Sequence, residues 1–95
     1  MRIVGRKRLD DFARQHAPAR PVVAAWVSEV EAAHWNGPQD IKDRYAAASF
    51  LAGNHVVFNL GGNKYRLLVV VTYANGIVSV KRIGTHEEYN RWNLR

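Results

Sequence analysis

The side chains best suited to chemistry lie in the second half of this chain. Lys64 and Arg66 come at the start of one long apolar run, and Lys81 lies inside the next. His86 and Tyr89 follow that second run. The set combines a planar cation, two point charges, an imidazole that titrates near neutral pH and a phenol. Such groups can cleave a phosphodiester beside a 2′-hydroxyl.

Metal-free cleavage of RNA needs a base for the 2′-hydroxyl, positive charge at the transition state and an acid for the leaving 5′-oxygen. Arg66 offers a planar fork that matches phosphate, and the two lysines add charge. His86 can act as acid or base. Tyr89 can orient the hydroxyl, donate a proton or stack on a base. One well-placed electrostatic donor contributes about 3–4 kcal/mol to such a reaction.

Each of these residues also has an ordinary structural interpretation. Arg66 and Lys81 can lie on a solvated sheet face. His86 can be a plain first residue of a helix, and Tyr89 can pack in the core. Only their convergence at one place indicates a site, so the elements that position them decide the question.

The first half of the chain is predicted to be helical after a short strand at residues 2–4. The pattern predicts one helix over residues 7–16 and a second that begins near Pro21, whose missing N–H is harmless in a first turn. Apolar residues then recur at steps of three and four up to the Asn-Gly-Pro at 36–38. Residues 39–51 predict a turn of helix and a buried connection.

Three β-branched or aromatic runs, at residues 56–58, 65–73 and 77–83, predict strands. Asn75-Gly76 predicts a two-residue type I′ hairpin between the last two. Gly61-Gly62 predicts another two-residue loop between the first two.

These turns set a register in which Arg66 opposes Val57 on one side and Thr85 on the other. One face of the sheet is then apolar and is expected to pack against the helices. That face carries Val56, Phe58, Tyr65, Leu67, Val69, Val71, Val78 and Val80. The opposite face carries Asn59, Lys64, Arg66 and Lys81, with Val57, Leu68, Val70 and Ile83 among them.

A short C-terminal helix is predicted after the sheet. Thr85 and Glu88 have the spacing of a capping box, which predicts a helix from His86 to about Trp92. Tyr89 lies one turn after His86 on the same face. The helix N-terminus disfavours a cationic imidazole, which favours a base role for His86 unless a phosphate is bound. Four candidate residues then converge at one sheet edge: Arg66, Lys81, His86 and Tyr89.

Composition restricts the classes of protein. The 95 residues allow one domain, residues 1–95, and a hydrophobic content of 47% suffices for one small core. Fourteen Lys and Arg against eight Asp and Glu give a net charge of +6, which favours a polyanionic partner such as RNA or DNA. The chain has no long apolar run, so neither a membrane span nor a secretory signal is expected.

Neither a metal nor a cofactor is expected. The chain has no cysteine, which excludes disulfides and thiolate zinc sites and is compatible with the cytoplasm. His16, His34 and His55 have no ligand partner at a recognisable spacing, so they are expected to be structural or exposed.

Two further features of the sequence, a basic run and a glycine-rich turn, each allow two interpretations. Arg6, Lys7 and Arg8 form a basic run on the first predicted helix. Such a run is usually a solvated face, and contact with the RNA backbone is the alternative. Gly61-Gly62-Asn63 is either a plain hairpin turn, which the flanking strands favour, or a phosphate-binding nest.

Two blocks of sequence resemble the HigB toxin family. The first runs from His55 to Leu67 and contains the pattern F-N-x-G-G-N-x-x-R-L; the second, at residues 84–89, reads G-T-H-x-E-Y. The resemblance covers roughly residues 55–92, and the helical first half agrees in layout. It implies a RelE-like α+β fold, with N-terminal helices on one face of a mostly antiparallel sheet and a short C-terminal helix.

The resemblance also implies a function and partners. The chain is then expected to be the toxin of a type II toxin–antitoxin system, a cytoplasmic endoribonuclease that cuts mRNA, as related toxins usually do on the ribosome. A HigA-like antitoxin with a helix-turn-helix domain is expected to neutralise it, and operator DNA to be bound only through that complex. The positions that match the motifs are Asn59, Asn63, Lys64, Arg66, Thr85, His86 and Tyr89. RNA binding is assigned to Asn59, Asn63 and Thr85.

Two other functions remain as alternatives. A non-catalytic RNA- or ribosome-binding module, or a decayed toxin, would use the same basic face. Such a module needs exposed aromatic rings for stacking, whereas Phe58, Tyr65 and Tyr73 are predicted to point inward, which favours phosphate chemistry. A DNA-binding regulator is the weakest reading, because the sequence has no helix-turn-helix pattern.

Overall fold

A computed structural model describes residues 1–92 of the chain. Four helices and five strands follow one another in this order: β1 (Arg2–Val4), α1 (Arg6–Gln15), α2 (Arg20–Ala32), α3 (Pro38–Arg44), β2 (Ser49–Leu51), β3 (His55–Leu60), β4 (Tyr65–Thr72), β5 (Ile77–Thr85) and α4 (His86–Tyr89). Short 3₁₀ turns, Ala17–Ala19 and Tyr73–Asn75, precede α2 and join β4 to β5. The α+β class is confirmed.

The five strands form one sheet in the order β1-β5-β4-β3-β2. Neighbouring strands are antiparallel except β1 and β5, which are parallel. The edge strand β2 was not predicted, because its three residues fall in a segment read as a buried connection. At the other edge, β1 pairs with Ile77–Ser79 of β5, and no other strand among residues 1–92 covers the remainder of β5 on that side.

Prolines separate the first two helices as predicted. Pro18 lies in the 3₁₀ turn, and Pro21 lies in the first turn of α2. The predicted apolar spacing is also correct, since each helix buries one stripe of side chains. The buried residues are Leu9 and Phe12 of α1 and Val23, Trp26, Val27 and Val30 of α2.

The apolar face of the sheet is the one the sequence predicted. All eight residues assigned to it belong to the main core together with the helix stripes. Edge-to-face contact joins the layers, since the Trp26 and Phe58 rings lie 5.5 Å apart and those of Phe12 and Tyr65 lie 5.6 Å apart. The alternation of side chains therefore leaves Arg66 on the face opposite to the helices α1 and α2.

The predicted register between β3 and β4 is wrong by two residues. Arg66 pairs with Asn59 rather than Val57, because the loop has four residues, 61–64. Gly61, Gly62 and Asn63 all have left-handed backbones, with φ of 62°, 61° and 76°. Glycine and asparagine tolerate this region best, so the three residues suit a longer turn than a two-residue hairpin. A slip of two residues preserves the faces, which is why the face assignment survives.

The predicted register between β4 and β5 is also wrong, for two reasons. Asn75-Gly76 does not form a two-residue hairpin: Tyr73 packs partly against the core, residues 73–75 form a 3₁₀ turn, and left-handed Gly76 closes it. A β-bulge then inserts Lys81, since Val69 pairs with Val80 but Leu68 pairs with Arg82.

The bulge changes the face of every residue that follows it. Arg66 opposes Gly84 instead of Thr85, and Ile83 packs against the main core instead of lying on the opposite face. That opposite face is also less open than predicted, because Val57 and Leu68 are only 1% and 5% exposed. The face is therefore partly covered rather than a bare cationic surface.

No helix within residues 1–92 combines the length and apolarity that crossing a bilayer requires.

Candidate active site

Arg66 is the centre of the candidate site. It is the one charged side chain among residues 1–92 that is buried, at 8% exposure. Its Nη1 donates hydrogen bonds to the carbonyl oxygens of Asn63, at 3.1 Å, and Tyr65, at 3.4 Å. Within residues 1–92 its Nε and Nη2 have no acceptor. A buried guanidinium held by its own turn is oriented before any ligand arrives, and these remaining N–H groups can still donate.

The left-handed turn orients this arginine. Because Asn63 has φ of 76°, the turn places its carbonyl oxygen on the guanidinium. The contact uses a carbonyl oxygen, which repels anions and orients Arg66; the alternative of a phosphate nest at Gly61-Gly62-Asn63 stays a prediction.

Tyr89 covers the other side of Arg66. The guanidinium carbon lies 5.4 Å from the centre of the tyrosine ring, which is a cation–π distance. The predicted capping box holds the helix that carries Tyr89: Glu88 N donates to Thr85 Oγ1 at 3.1 Å, and Thr85 N donates to Glu88 Oε1 at 2.8 Å. The helix α4 ends at Tyr89, earlier than the predicted Trp92.

His86 and Lys64 meet at the same corner. The backbone N–H of His86 donates to the carbonyl oxygen of Lys64 at 2.9 Å, which ties the start of α4 to the end of the 61–64 turn. Both side chains are exposed. Lys64, Arg66, His86 and Tyr89 therefore lie around one corner of the sheet, as the expected convergence requires.

Lys81 does not share that corner. It lies on the bulge, three residues before Gly84, the cross-strand partner of Arg66. At a rise of about 3.3 Å per residue, that separation is about 10 Å along β5. Of the four residues expected to converge, which were Arg66, Lys81, His86 and Tyr89, Lys81 therefore lies apart, on a bulge that the sequence did not reveal.

The three other motif positions have structural partners. Asn59 Nδ2 donates to the carbonyl oxygen of Ala47 at 3.2 Å, which fastens β3 to the segment before β2. Asn63 forms the turn, and Thr85 caps α4. These contacts explain the residue types without RNA, so the RNA-binding role expected for them stays a prediction.

The basic run on α1 points in different directions. Arg6 pairs with Glu31 of α2 at 3.4 Å and lines a cavity of about 760 Å³ on the outside of the helix pair. Lys7 pairs with Asp11 at 2.9 Å. Only Arg8 faces β5, where it lines a smaller cleft with Lys81. The structure therefore brings one of the three residues near the candidate site.

Sequence reasoning missed Arg82 and the position of Trp92. The bulge turns Arg82 to the face that carries Arg66, and its guanidinium lies 5.5 Å from the Trp92 ring. Trp92 in turn contacts Tyr89 edge-on, at 5.4 Å between ring centres. The result is a row with two aromatic rings between two cations: Arg66, Tyr89, Trp92 and Arg82. No sequence signal marked this row, because the bulge creates it.

Gly84 allows the row to lie close to the sheet. A Cβ atom at this position would meet Trp92 Cζ2 at 3.0 Å and Glu88 Oε1 at 3.2 Å. Those distances are shorter than ordinary contacts, so the segment after β5 packs directly on the glycine backbone.

The pKa of Glu88 lies below its ordinary value. The main cause is that its carboxylate accepts the Thr85 N–H, and the positive charges of His16 and Arg91 add to the effect. The carboxylate is therefore ionised at neutral pH and holds the helix start in place.

The other three histidines have the structural or exposed positions expected of them. His16 stacks on Phe12 at 4.3 Å, His55 Nδ1 lies 3.0 Å from the Ala52 carbonyl oxygen, and His34 is exposed. Among residues 1–92, no three His, Asp or Glu side chains are arranged to share a metal ion.

A family model described as HigB_toxin, the RelE-like toxic component of a toxin–antitoxin system, matches residues 19–92. The chain belongs to the HigB toxin family. The match contains every member of the corner described above, whereas the basic run on α1 lies outside it. As a HigB family toxin, the chain has an antitoxin as its partner.

Curated HigB proteins are similar along nearly the whole chain. They include the mRNA interferase toxin HigB of Escherichia coli K12 and the mRNA interferase HigB of Escherichia coli O157:H7 and of Shigella flexneri. Each is 23% identical over 92 residues, which is 95% of this chain and 88% of the relative. The resemblance seen in the two sequence blocks is thus confirmed at the level of the family.

Proposed function

We propose that this HigB family member is an endoribonuclease that cleaves mRNA, on translating ribosomes, at the corner formed by Lys64, Arg66, His86 and Tyr89. The observation that carries the proposal is the geometry of Arg66, a nearly buried guanidinium fixed between a turn and a tyrosine ring. The backbone of His86 is hydrogen-bonded to the carbonyl oxygen of Lys64 at the end of that turn. The mRNA interferase names of the similar proteins support the same reaction.

The proposed reaction is an internal attack by the ribose. A base removes the 2′-hydroxyl proton, the 2′-oxygen bonds to phosphorus, and the bond to the 5′-oxygen breaks to leave a 2′,3′-cyclic phosphate. An acid then protonates the departing 5′-oxygen. Arg66 would donate to the phosphoryl oxygens, where negative charge grows in the transition state.

His86, Tyr89 and Lys64 supply the proton transfers and additional charge. The exposed imidazole of His86 can reach a bound strand from the start of α4, and it can serve as base or acid. Tyr89, fixed against Arg66, would orient the 2′-hydroxyl or donate a proton. Lys64 adds positive charge at the exposed rim. Which residue is the base and which the acid remains for experiment.

The finer points of partnership belong to the same proposal. The antitoxin would be a HigA-like protein with a helix-turn-helix domain, and the complex would bind operator DNA. The antitoxin would neutralise the toxin in the cytoplasm. Toxin that is free of the antitoxin would cleave mRNA during translation. The net charge of +6 favours approach to RNA and ribosomes, both polyanions.

A non-catalytic RNA-binding module is the second candidate, because the structure offers it a feature that the sequence did not. Phe58 and Tyr65 are buried as predicted, but Tyr89 and Trp92 lie partly exposed beside Arg66. Aromatic rings in such a place can stack on bases. Binding and cleavage must therefore be measured separately.

The decisive experiment maps 5′ ends of mRNA in a reconstituted translation reaction. Wild type should create new ends inside translated frames. Arg66→Ala should lower the cleavage rate about 10²–10³-fold, as removal of one transition-state donor does. Arg66→Lys should restore only part of the rate, because an ammonium group lacks the planar fork.

The matched control is Arg2→Ala. Arg2 is an exposed arginine on β1, and its loss also changes the net charge from +6 to +5. This variant should cleave like wild type. Unchanged cleavage by a folded Arg66→Ala protein would refute the proposed active site. Ribosome binding by wild type without new 5′ ends would favour the non-catalytic RNA-binding module.

A further inference from the structure

A second polar cleft lies beside the candidate active site. It has a volume of about 360 Å³ and lies between α1, the bulge of β5 and the segment after α4. Its cationic and aromatic walls include Arg8, His16, Lys81, Arg82 and Trp92. The sequence did not predict this cleft, because Lys81 was expected to lie at the same corner as Arg66.

The cleft exists because β1 is short. β1 pairs with β5 only as far as Ser79, so the following residues form an edge that no strand in the described part of the chain, residues 1–92, covers. The bulge inserts Lys81 at this edge, where an extra residue changes the direction of its side chain and of Arg82. The α1 helix closes the cleft on the opposite side, and Arg8 points into it.

The charge of the cleft is positive because its acids are already engaged. Asp11 accepts from Lys7 at 2.9 Å and pairs with Arg14 at 3.4 Å. Glu88 is held in the capping box. Within residues 1–92, Arg8, Lys81 and Arg82 form no ion pair, and all three are exposed. An anion that enters the cleft therefore meets three cations that form no ion pair in that part of the chain, against the two carboxylates of Asp11 and Glu88.

Trp92 gives the cleft an aromatic wall. Its ring lies against Gly84 and Tyr89 on one side and beneath the Arg82 guanidinium, at 5.5 Å. It also lines the cleft and is only half-buried. A flat ring next to phosphate-binding cations is the combination that binds single-stranded RNA, with stacking for the base and charge for the backbone.

We infer that this cleft binds a nucleotide of the single-stranded RNA next to the one that is cut. Its phosphate contacts Lys81 and Arg8, and its base stacks on Trp92. The row of rings and cations that begins at Arg66 leads the strand from one site to the other, over about 10 Å along β5. The inference rests on the proposed function for the direction of the strand, but binding in the cleft does not require cleavage.

The cleft should affect binding rather than the chemical step. Trp92→Leu removes the stacking ring and should weaken RNA binding about 5- to 100-fold, the range that base–aromatic stacking gives. Lys81→Ala should weaken binding and lower the dependence on salt by about one phosphate contact. Both variants should raise KM while kcat stays near wild type.

Tryptophan fluorescence provides a measurement that is independent of activity. Trp26 and Trp35 are only 2% and 6% exposed, so Trp92 is the ring that a ligand can reach. A 2′-O-methyl oligoribonucleotide, which cannot be cut, should quench the fluorescence of the wild-type chain as it is titrated. Trp92→Phe retains a stacking ring but should abolish the quenching, while binding measured by anisotropy of a labelled oligonucleotide persists.

Arg2→Ala is again the control with matched charge, because Arg2 is exposed on β1 and outside the cleft. It should bind and quench like wild type. Quenching that survives in Trp92→Phe, or wild-type KM in both Lys81→Ala and Trp92→Leu, would overturn the inference.

The two proposals can fail separately. If wild type cleaves mRNA and the cleft variants have a normal KM, the proposed function is supported and the proposed RNA-binding role of the cleft is refuted. Quenching that depends on Trp92 and Lys81, in a chain that cuts no mRNA on ribosomes, would keep the cleft and remove the proposed reaction.

Discussion

Replacing Gly84 with alanine is expected to lift the segment that carries Tyr89 away from the sheet. The added methyl group would lie 3.0 Å from Trp92 Cζ2 and 3.2 Å from Glu88 Oε1, whereas carbon atoms at rest are about 3.5–4.0 Å apart. The Trp92 ring and the Glu88 side chain must therefore give way by a few tenths of an ångström. The backbone of Gly84 is not left-handed, so the destabilising part of the effect comes from this contact and not from backbone strain.

The size of the effect follows from two opposing terms. Overpacking of this kind typically destabilises by about 1–3 kcal/mol. Alanine also has fewer backbone conformations than glycine in the unfolded chain, which stabilises the folded state by about 0.4–1 kcal/mol. The free energy of unfolding should therefore fall by about 0–2.6 kcal/mol. Because the Trp92 ring that must give way also contacts Tyr89, mRNA cleavage should fall as well.

Urea denaturation and the 5′-end assay measure the two effects on the same protein. Gly37→Ala is the matched control, because Gly37 has φ of −170° and no atom within 4 Å of an added Cβ. Gly37 also precedes α3 as its N-cap, where alanine is less favourable, so its two small effects oppose each other. Wild-type stability together with wild-type cleavage in Gly84→Ala would refute the argument that close packing on Gly84 positions Tyr89.

Two further predictions concern the turn and the cap. Asn63→Ala should destabilise the fold by about 1–2 kcal/mol in urea denaturation, because alanine strains a backbone with φ of 76°, whereas Asn63→Gly should be nearly neutral; equal losses in both would refute the role of the left-handed turn. The pKa of Glu88 is lower in the folded chain than its ordinary 4.5, so its ionised form stabilises the fold above that pH, and the stabilisation disappears as pH falls through the folded value. Glu88→Gln should therefore be less stable than wild type at pH 7, and the gap should close in acid; a gap independent of pH would contradict this.

Much of the fold could be predicted because its signals are local. The apolar spacing of α2 and the alternation in β3, β4 and β5 depend only on the period of a helix or a strand. The capping box at Thr85 and Glu88 is equally local, since its two hydrogen bonds lie within four residues. Arg66, His86 and Tyr89 could therefore be placed near one another before any coordinates were known.

The register could not be predicted with the same rules. Gly61-Gly62 and Asn75-Gly76 suit two-residue hairpins, but each strand pair closes through four residues, because Asn63 adopts a left-handed backbone and Tyr73 packs on the core. A two-residue slip leaves faces unchanged, so the core was correct despite the wrong pairing. The bulge inserts a single residue, which reverses the side-chain directions that follow it, so the predicted faces of Ile83 and Arg82 were wrong.

The sequence by itself determined the class of fold, the apolar face of the sheet and the meeting of Arg66, His86 and Tyr89 at one corner of the sheet. Each depends on interactions between residues close in the chain or on side-chain types that carry their chemistry with them. Only the tertiary structure decided that Arg66 is buried under Tyr89 and that Lys81 belongs to a separate cleft. Those outcomes depend on one extra residue in β5 and on the close contact of Trp92 with Gly84. Both features depend on small differences in packing energy between parts of the chain that are distant in sequence, so no local sequence pattern predicts them.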